Sequence, residues 1–252
     1  SPRPDRPPVV GAPEGSLRLA DLLASLSLVA DLGFGLPPEQ EATQVAERAW
    51  LDGHRQAAVL YPASAWGRRM QTAFVGAWQR LGGIVVAEQD YLLDQSDYTD
   101  PVKRLLNIAQ SEARKDRIES VVKMKLKFEA RPREDINFIF LATDPRHARL
   151  IKPQLSYHRA SRVPVYTTSH VFTGRGDPNL DTDLDGILFP DMPWMLVGDG
   201  RVAELRKLLQ PNWPYAHSGL DRLFALGVDA YAVIPHLNRL SSENAVRFGG
   251  VT

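Results

Sequence analysis

The chain has 252 residues, with 30 Lys plus Arg set against 30 Asp plus Glu, so its formal net charge is zero. It holds no Cys, which excludes disulfides, thiolate zinc sites, iron–sulfur clusters and cysteine nucleophiles and leaves the redox compartment open. With 44% hydrophobic residues it is globular, its charge balance gathers neither nucleic acid nor an anionic membrane, and no run of 18 apolar residues could span a bilayer.

Five prolines fall in the first thirteen residues, so 1–13 reads as an extended linker. This start has no apolar core like that of a signal peptide, so any targeting segment is expected outside the chain. A short helix over 17–24, capped by Ser16, and an apolar strand over 26–30 follow. Pro37-Pro38 opens a helix with Ala42, Val45, Ala46, Ala49 and Trp50 on one face.

From residue 55 the rhythm becomes regular. Residues 57–61 are continuously apolar, as in a parallel strand covered on both faces. A helix over about 65–81 carries Trp66, Met70, Phe74, Ala77, Trp78 and Leu81 on one stripe, and Gly82-Gly83 ends it. Strands are predicted at 84–87, 135–142, 163–167 and 185–189, with a partly helical basic segment over 98–129 and a helix near 145–157 between them. This alternation predicts βαβ units in a parallel doubly wound α/β sheet.

The tail has a short helix over 201–210 and an apolar segment over 220–240, which is expected in a core, split at Gly227 and kinked at Pro235. At this length a core begins to divide. The expected organisation is a linker at 1–13, part of a first lobe at 14–54, a second lobe at 55–188 and a return to the first lobe at 189–252.

Several patterns invite chemistry and then fail a requirement. Residues 181–186 match the first half of a calcium loop, but Met192 stands where a bidentate Glu is needed. An acidic turn entering a strand is the better reading. Gly198-Asp-Gly200 fits a loose dinucleotide pattern, but Pro193 truncates the preceding strand and residues 210–214 cannot form the next. A turn capping a helix is expected there. Elbow, zincin and phosphate-loop motifs are missing, and joining Ser64, Asp144 and His170 into a triad would require geometry that a sequence cannot give. No enzyme, metal or cofactor is expected.

Ligands of parallel sheets sit beyond the carboxyl ends of the strands. The loops there place Ser64, Thr143, Asp144, Thr168 and Ser169 as ligand-cleft candidates, although the same residue types also serve as helix N-caps. The basic stretch 103–133 supplies Lys123, Lys125, Lys127, Arg131 and Arg133 as partner-surface candidates, with a solvated helix face as the plainer reading. Few aromatics accompany it, which argues against nucleic acid.

Residues 60–67, LYPASAWG, and a helix ending Trp78-Gln-Arg-Leu-Gly-Gly83 resemble type I periplasmic binding proteins where the chain enters the second lobe. Ala230-Tyr-Ala-Val-Ile234 resembles their returning first-lobe helix. More specific are KFEARPREDINFIFL at 127–141, DLDGILFPDMPW at 183–194 and RLFALGVDAY at 222–231. Together they resemble the C-terminal domain of the LppC (LpoA) family of outer-membrane lipoproteins, from about residue 36 to residue 252. The resemblance implies a non-catalytic periplasmic domain, tethered to the outer membrane through a lipid anchor outside this chain. That domain would activate a class A penicillin-binding protein in peptidoglycan synthesis, with peptidoglycan as a further candidate partner. The family's partner binding is associated with the second lobe. The anchoring Cys, the helical-repeat domain, the opening strands of the first lobe and the final strand have no counterpart here, so the first lobe is expected to be incomplete. The alternative is a periplasmic binder of an amino acid or peptidoglycan fragment between the lobes.

Overall fold

The computed structural model describes residues 37–125, 132–196, 200–209, 211, 220–236 and 250. The linker, the helix over 17–24 and the strand over 26–30 lie outside them. Two compact units divide the chain: Leu36–Leu196, and Ser1–Gly35 together with Val197–Thr252.

Within Leu36–Leu196 the order is α1 (Pro38–Leu51), β1 (Gln56–Pro62), α2 (Ala65–Arg80), β2 (Ile84–Tyr91), α3 (Thr99–Leu105), α4 (Ile108–Val122), β3 (Phe138–Leu141), α5 (Pro145–Tyr157), β4 (Val165–Tyr166), β5 (Ile187–Leu188) and α6 (Pro193–Leu196). The strands form one sheet in the order β2-β1-β3-β4-β5, and every pairing is parallel. This is the expected α/β architecture. β2 continues four residues past the expected Ala87, because its ladder with β1 runs to Pro62 opposite Tyr91. β3, β4 and β5 are shorter than expected, since only the residues facing a neighbouring strand pair.

Strand period explains the apolar runs. Ala57, Val59, Phe138, Phe140 and Tyr166 point to one face, where Ala42, Val45, Ala46 and Ala49 of α1 and Met70, Phe74, Ala77 and Trp78 of α2 cover them. Ala58, Leu60, Ile139, Leu141 and Val165 point to the other face, against Val102 and Leu105 of α3 and Ile151 and Leu155 of α5. Aromatic rings fix the first layer. Phe74 stacks on Phe140 at 4.1 Å, Trp78 meets Phe138 edge-on at 5.1 Å, and Trp78 Nε1 donates to the Ile84 carbonyl at 3.1 Å.

The compact unit extends beyond 55–188 at both ends. The alanine face of α1 packs on the same sheet, because small side chains let a helix approach α2 and the strands closely. Its far end is tied to β4: Tyr166 Oη donates to Asp52 Oδ2 at 2.7 Å, and Arg48 pairs with the same carboxylate at 2.9 Å. Burial pushes the Tyr166 phenol up to about 12, so it remains a donor at neutral pH.

In the other unit the described elements are α7 (Gly200–Leu209), α8 (Asp221–Val233) and a 3₁₀ turn, Ile234–His236. Gly200 opens α7 with φ of +72°. α8 is not split at Gly227. It runs unbroken through it, because one interior glycine costs only about 1 kcal/mol and packing offsets that. Nor does Pro235 kink a continuing helix, since α8 has already ended at Val233. Only one face of α8 is buried, through Ala225, Val228, Ala230 and Val233, while Leu223 and Tyr231 are exposed.

Candidate functional site

The carboxyl ends of β1, β2 and β3 open onto a cavity of about 300 Å³, lined by Pro62, Ser64, Trp66, Tyr91, Leu93, Thr143, Asp144 and His170. Three of the five ligand-cleft candidates meet here: Ser64, Thr143 and Asp144. Ser64 is the N-cap of α2, its Oγ accepting from the Gly67 amide at 3.0 Å. Asp144 is the N-cap of α5, where Oδ1 accepts from the His147 amide at 3.0 Å and Oδ2 faces His147 Nδ1 at 2.7 Å. The other imidazole nitrogen faces the Leu93 carbonyl at 3.1 Å, so His147 ties the loop after β2 to the start of α5. Capping and wall-lining therefore coexist in the same side chains.

Thr168 and Ser169 do not line this cavity. Both are buried in the turn after β4, and Ser169 is held by Glu41 of α1, which accepts from its amide at 2.7 Å and its hydroxyl at 2.9 Å. The same turn carries His170, whose ring lies 5.0 Å from that of Trp66.

Two aromatic walls escaped the sequence reading. Trp66 falls on the apolar stripe of α2, so helical period alone assigns it to the core. Yet it sits in the first turn, beside the carboxyl end of β1, and forms part of the cavity wall. Tyr91 ends a strand longer than predicted, and its hydroxyl donates to the Ala142 carbonyl at 2.8 Å. Burial pushes that phenol above the usual tyrosine range, so it stays neutral. The cavity offers aromatic rings, hydroxyls and one carboxylate, a lining suited to a small polar or cationic ligand.

Ser64, Asp144 and His170 all reach this cavity, but their hydrogen bonds run elsewhere. Ser64 caps α2, Asp144 serves α5 and His147, and His170 faces Thr168 Oγ1 at 3.4 Å. No nucleophile–base relay links them among the described contacts.

The acidic turn reads as expected. Asp181–Leu184 is a 3₁₀ turn leading into β5, and Asp181 accepts from Arg149 Nη2 at 2.7 Å and from the Asp177 amide at 2.6 Å. The Arg149 guanidinium holds the Asp181 carboxyl below the usual range. Among the described residues no group of three potential ligands could hold a metal ion.

Of the partner-surface candidates, Lys127 and Arg131 lie outside the described residues. Lys123 and Lys125 are exposed beyond the end of α4. Arg133 differs from them. Its guanidinium grips Asp135 through two 2.6 Å hydrogen bonds, and its amide donates to the Leu106 carbonyl at 3.0 Å, so it anchors the strand entering the sheet.

The model of the LppC lipoprotein family matches residues 26–252. The penicillin-binding protein activator LpoA of Photobacterium profundum is 30% identical over 222 residues, 87% of this chain and 35% of that protein. The chain thus spans about a third of the length of the curated relatives it matches. Among solved structures, the C-domain of LpoA (YraM) from Haemophilus influenzae, a regulator of PBP1A, superposes with a TM-score of 0.60 at 21% identity, over 86% of this chain and 59% of that one. A protein of Chromobacterium violaceum described for branched-chain amino acid ABC transport superposes with a TM-score of 0.57 at 26% identity, over the same 86% and 59%.

Proposed function

The chain belongs to the LppC lipoprotein family, and from that membership we propose that it is a non-catalytic periplasmic docking domain that activates a class A penicillin-binding protein in peptidoglycan synthesis. The observation that carries this reading is the family match over residues 26–252, supported by a relative named as a penicillin-binding protein activator at 30% identity. The fold is compatible with it. A rigid parallel sheet covered on both faces presents loops and helix surfaces without needing a reactive group. In the full-length protein the domain is tethered to the outer membrane by its lipid anchor, and peptidoglycan is a further candidate partner.

The test uses the full chain and the periplasmic ectodomain of the class A synthase from the same organism. The expected result is saturable binding together with faster glycan polymerisation from lipid II. Absence of both binding and stimulation would refute the proposal.

One observation favours a second reading. The aromatic-walled cavity with Ser64, Thr143 and Asp144 suits capture of an amino acid or a peptidoglycan fragment. A thermal-shift screen with free amino acids and purified muropeptides discriminates, because a ligand at 100 times its Kd adds about 2.7 kcal/mol of stability. A flat screen removes this reading and leaves the docking reading standing.

A further inference from the structure

We infer that the C-terminal half of α4 is the docking ridge, and that its partner is a protein groove with an apolar floor and acidic rims. This deepens the docking reading above and rests on it.

Beyond its first turn, α4 is held by little packing. Ile108 in its first turn is buried, but from residue 110 to residue 125 every side chain is half-exposed or exposed. Isolated helices of about 12–15 residues are marginal in water, and most helical stability in proteins comes from packing an amphipathic face. Here the apolar positions point outward: Ile118 is 44% exposed, Val121 76%, Val122 49%, and Met124, just past the helix end, 66%. Ile118, Val121 and Val122 stand at i, i+3 and i+4, so they form one ridge rather than scattered exposures.

Charge is sorted around that ridge. Glu112, Asp116 and Glu119 recur at i, i+4 and i+7 and form a separate acidic stripe. Glu112 on that stripe faces the body of the protein, bonded to Lys103 of α3 at 3.2 Å. Arg114 lies one turn before Ile118 on the apolar side, with Arg117 beside it, and Lys123 and Lys125 continue past the last turn. None of these four makes an ion pair among the described residues. An apolar ridge with cations along it is complemented by a groove whose rims carry Asp and Glu. A lipid surface is the poorer match, because the ridge has no Trp, Phe or Leu to seat among acyl chains.

The experiment measures affinity of the full chain for the synthase ectodomain at several salt concentrations. Alongside wild type it uses V121D/V122D, the milder V121S/M124S, and R114E/R117E, each checked for folding by circular dichroism. The expected result is a loss of at least tenfold in affinity for the Val substitutions at unchanged Tm. The charge reversal should slow association and flatten the salt dependence. Wild-type binding that all three variants retain overturns the ridge and spares the docking reading. No binding by wild type overturns both. Co-sedimentation with phosphatidylglycerol vesicles, or self-association by light scattering, that disappears in V121S/M124S while synthase binding persists overturns the protein groove in favour of lipid or of a second copy.

Discussion

Glu41 and Ser169, 128 positions apart, are joined by two hydrogen bonds to one carboxylate, which ties the first helix of the unit to the turn carrying His170. Ser169 is buried, so removing the carboxylate takes away two charge-assisted hydrogen bonds from a site shielded from water. Glu41→Ala should cost about 1–3 kcal/mol in urea unfolding at pH 7. Glu41→Gln should recover part of that loss, since the amide oxygen still accepts one bond. Faster hydrogen exchange at 169–171 should accompany the loss, and unchanged exchange would show that the turn holds itself.

Two glycines in α2 should respond in opposite directions. A Cβ on Gly67 would collide with the Pro62 backbone carbonyl, so Gly67→Ala should destabilise by about 1–3 kcal/mol despite the better helix propensity of alanine. A Cβ on Gly76 meets only Arg80 Nη1 at 3.6 Å, and Gly76→Ala should stabilise by about 0.5–1 kcal/mol. Equal effects from the two would contradict the close approach of α2 to the end of β1.

Acid sensitivity should begin in the histidine range. Burial lowers the His54 value, with Asp52 acting against it, and burial followed by Lys103 lowers that of His158. A histidine whose folded value lies below its unfolded value of about 6.5 takes up its proton more readily in the unfolded chain. Stability is therefore full above about pH 6.5 and falls as pH drops toward the folded values. The carboxylates of Asp52, Asp135 and Asp181 are lowered by Arg48, Arg133 and Arg149, so their contributions fade only below the ordinary carboxylate range. The drop in Tm between pH 7.5 and pH 5.5 should shrink in H54Q/H158Q, and an unaltered drop would assign it to other groups.

The two N-caps bordering the cavity should differ in weight. Ser64→Ala removes one cap bond and should cost about 1 kcal/mol. Asp144→Ala removes a cap bond and the partner of a buried imidazole, and should cost about 2 kcal/mol. Neither change should alter affinity for the synthase ectodomain, because the cavity is built from none of the residues on the exposed face of α4. A matched loss of binding in both would move the docking surface to the strand ends.

Much of the architecture can be read from local pattern. The run Ala57 to Tyr61 is apolar at every position because alternate residues face two different helical layers, and that pattern by itself marks a parallel strand. Ser64 and Asp144 announce the helices they cap, and the alanine spacing of α1 marks its buried face. The order of the strands, the attachment of α1 to the sheet and the meeting of Trp66 with His170 carry no such local signature. Each joins residues far apart in the chain, and only packing selects among the partners that the same side chains could satisfy. Sequence alone therefore determined the class of fold, the helices Pro38–Leu51, Ala65–Arg80 and Pro145–Tyr157 and the family resemblance, because period and capping are properties of neighbouring residues. Tertiary structure decided which capping residues share a cavity, which arginine is spent on an aspartate and which helix face is left facing water, because those follow from distances that the chain order does not contain.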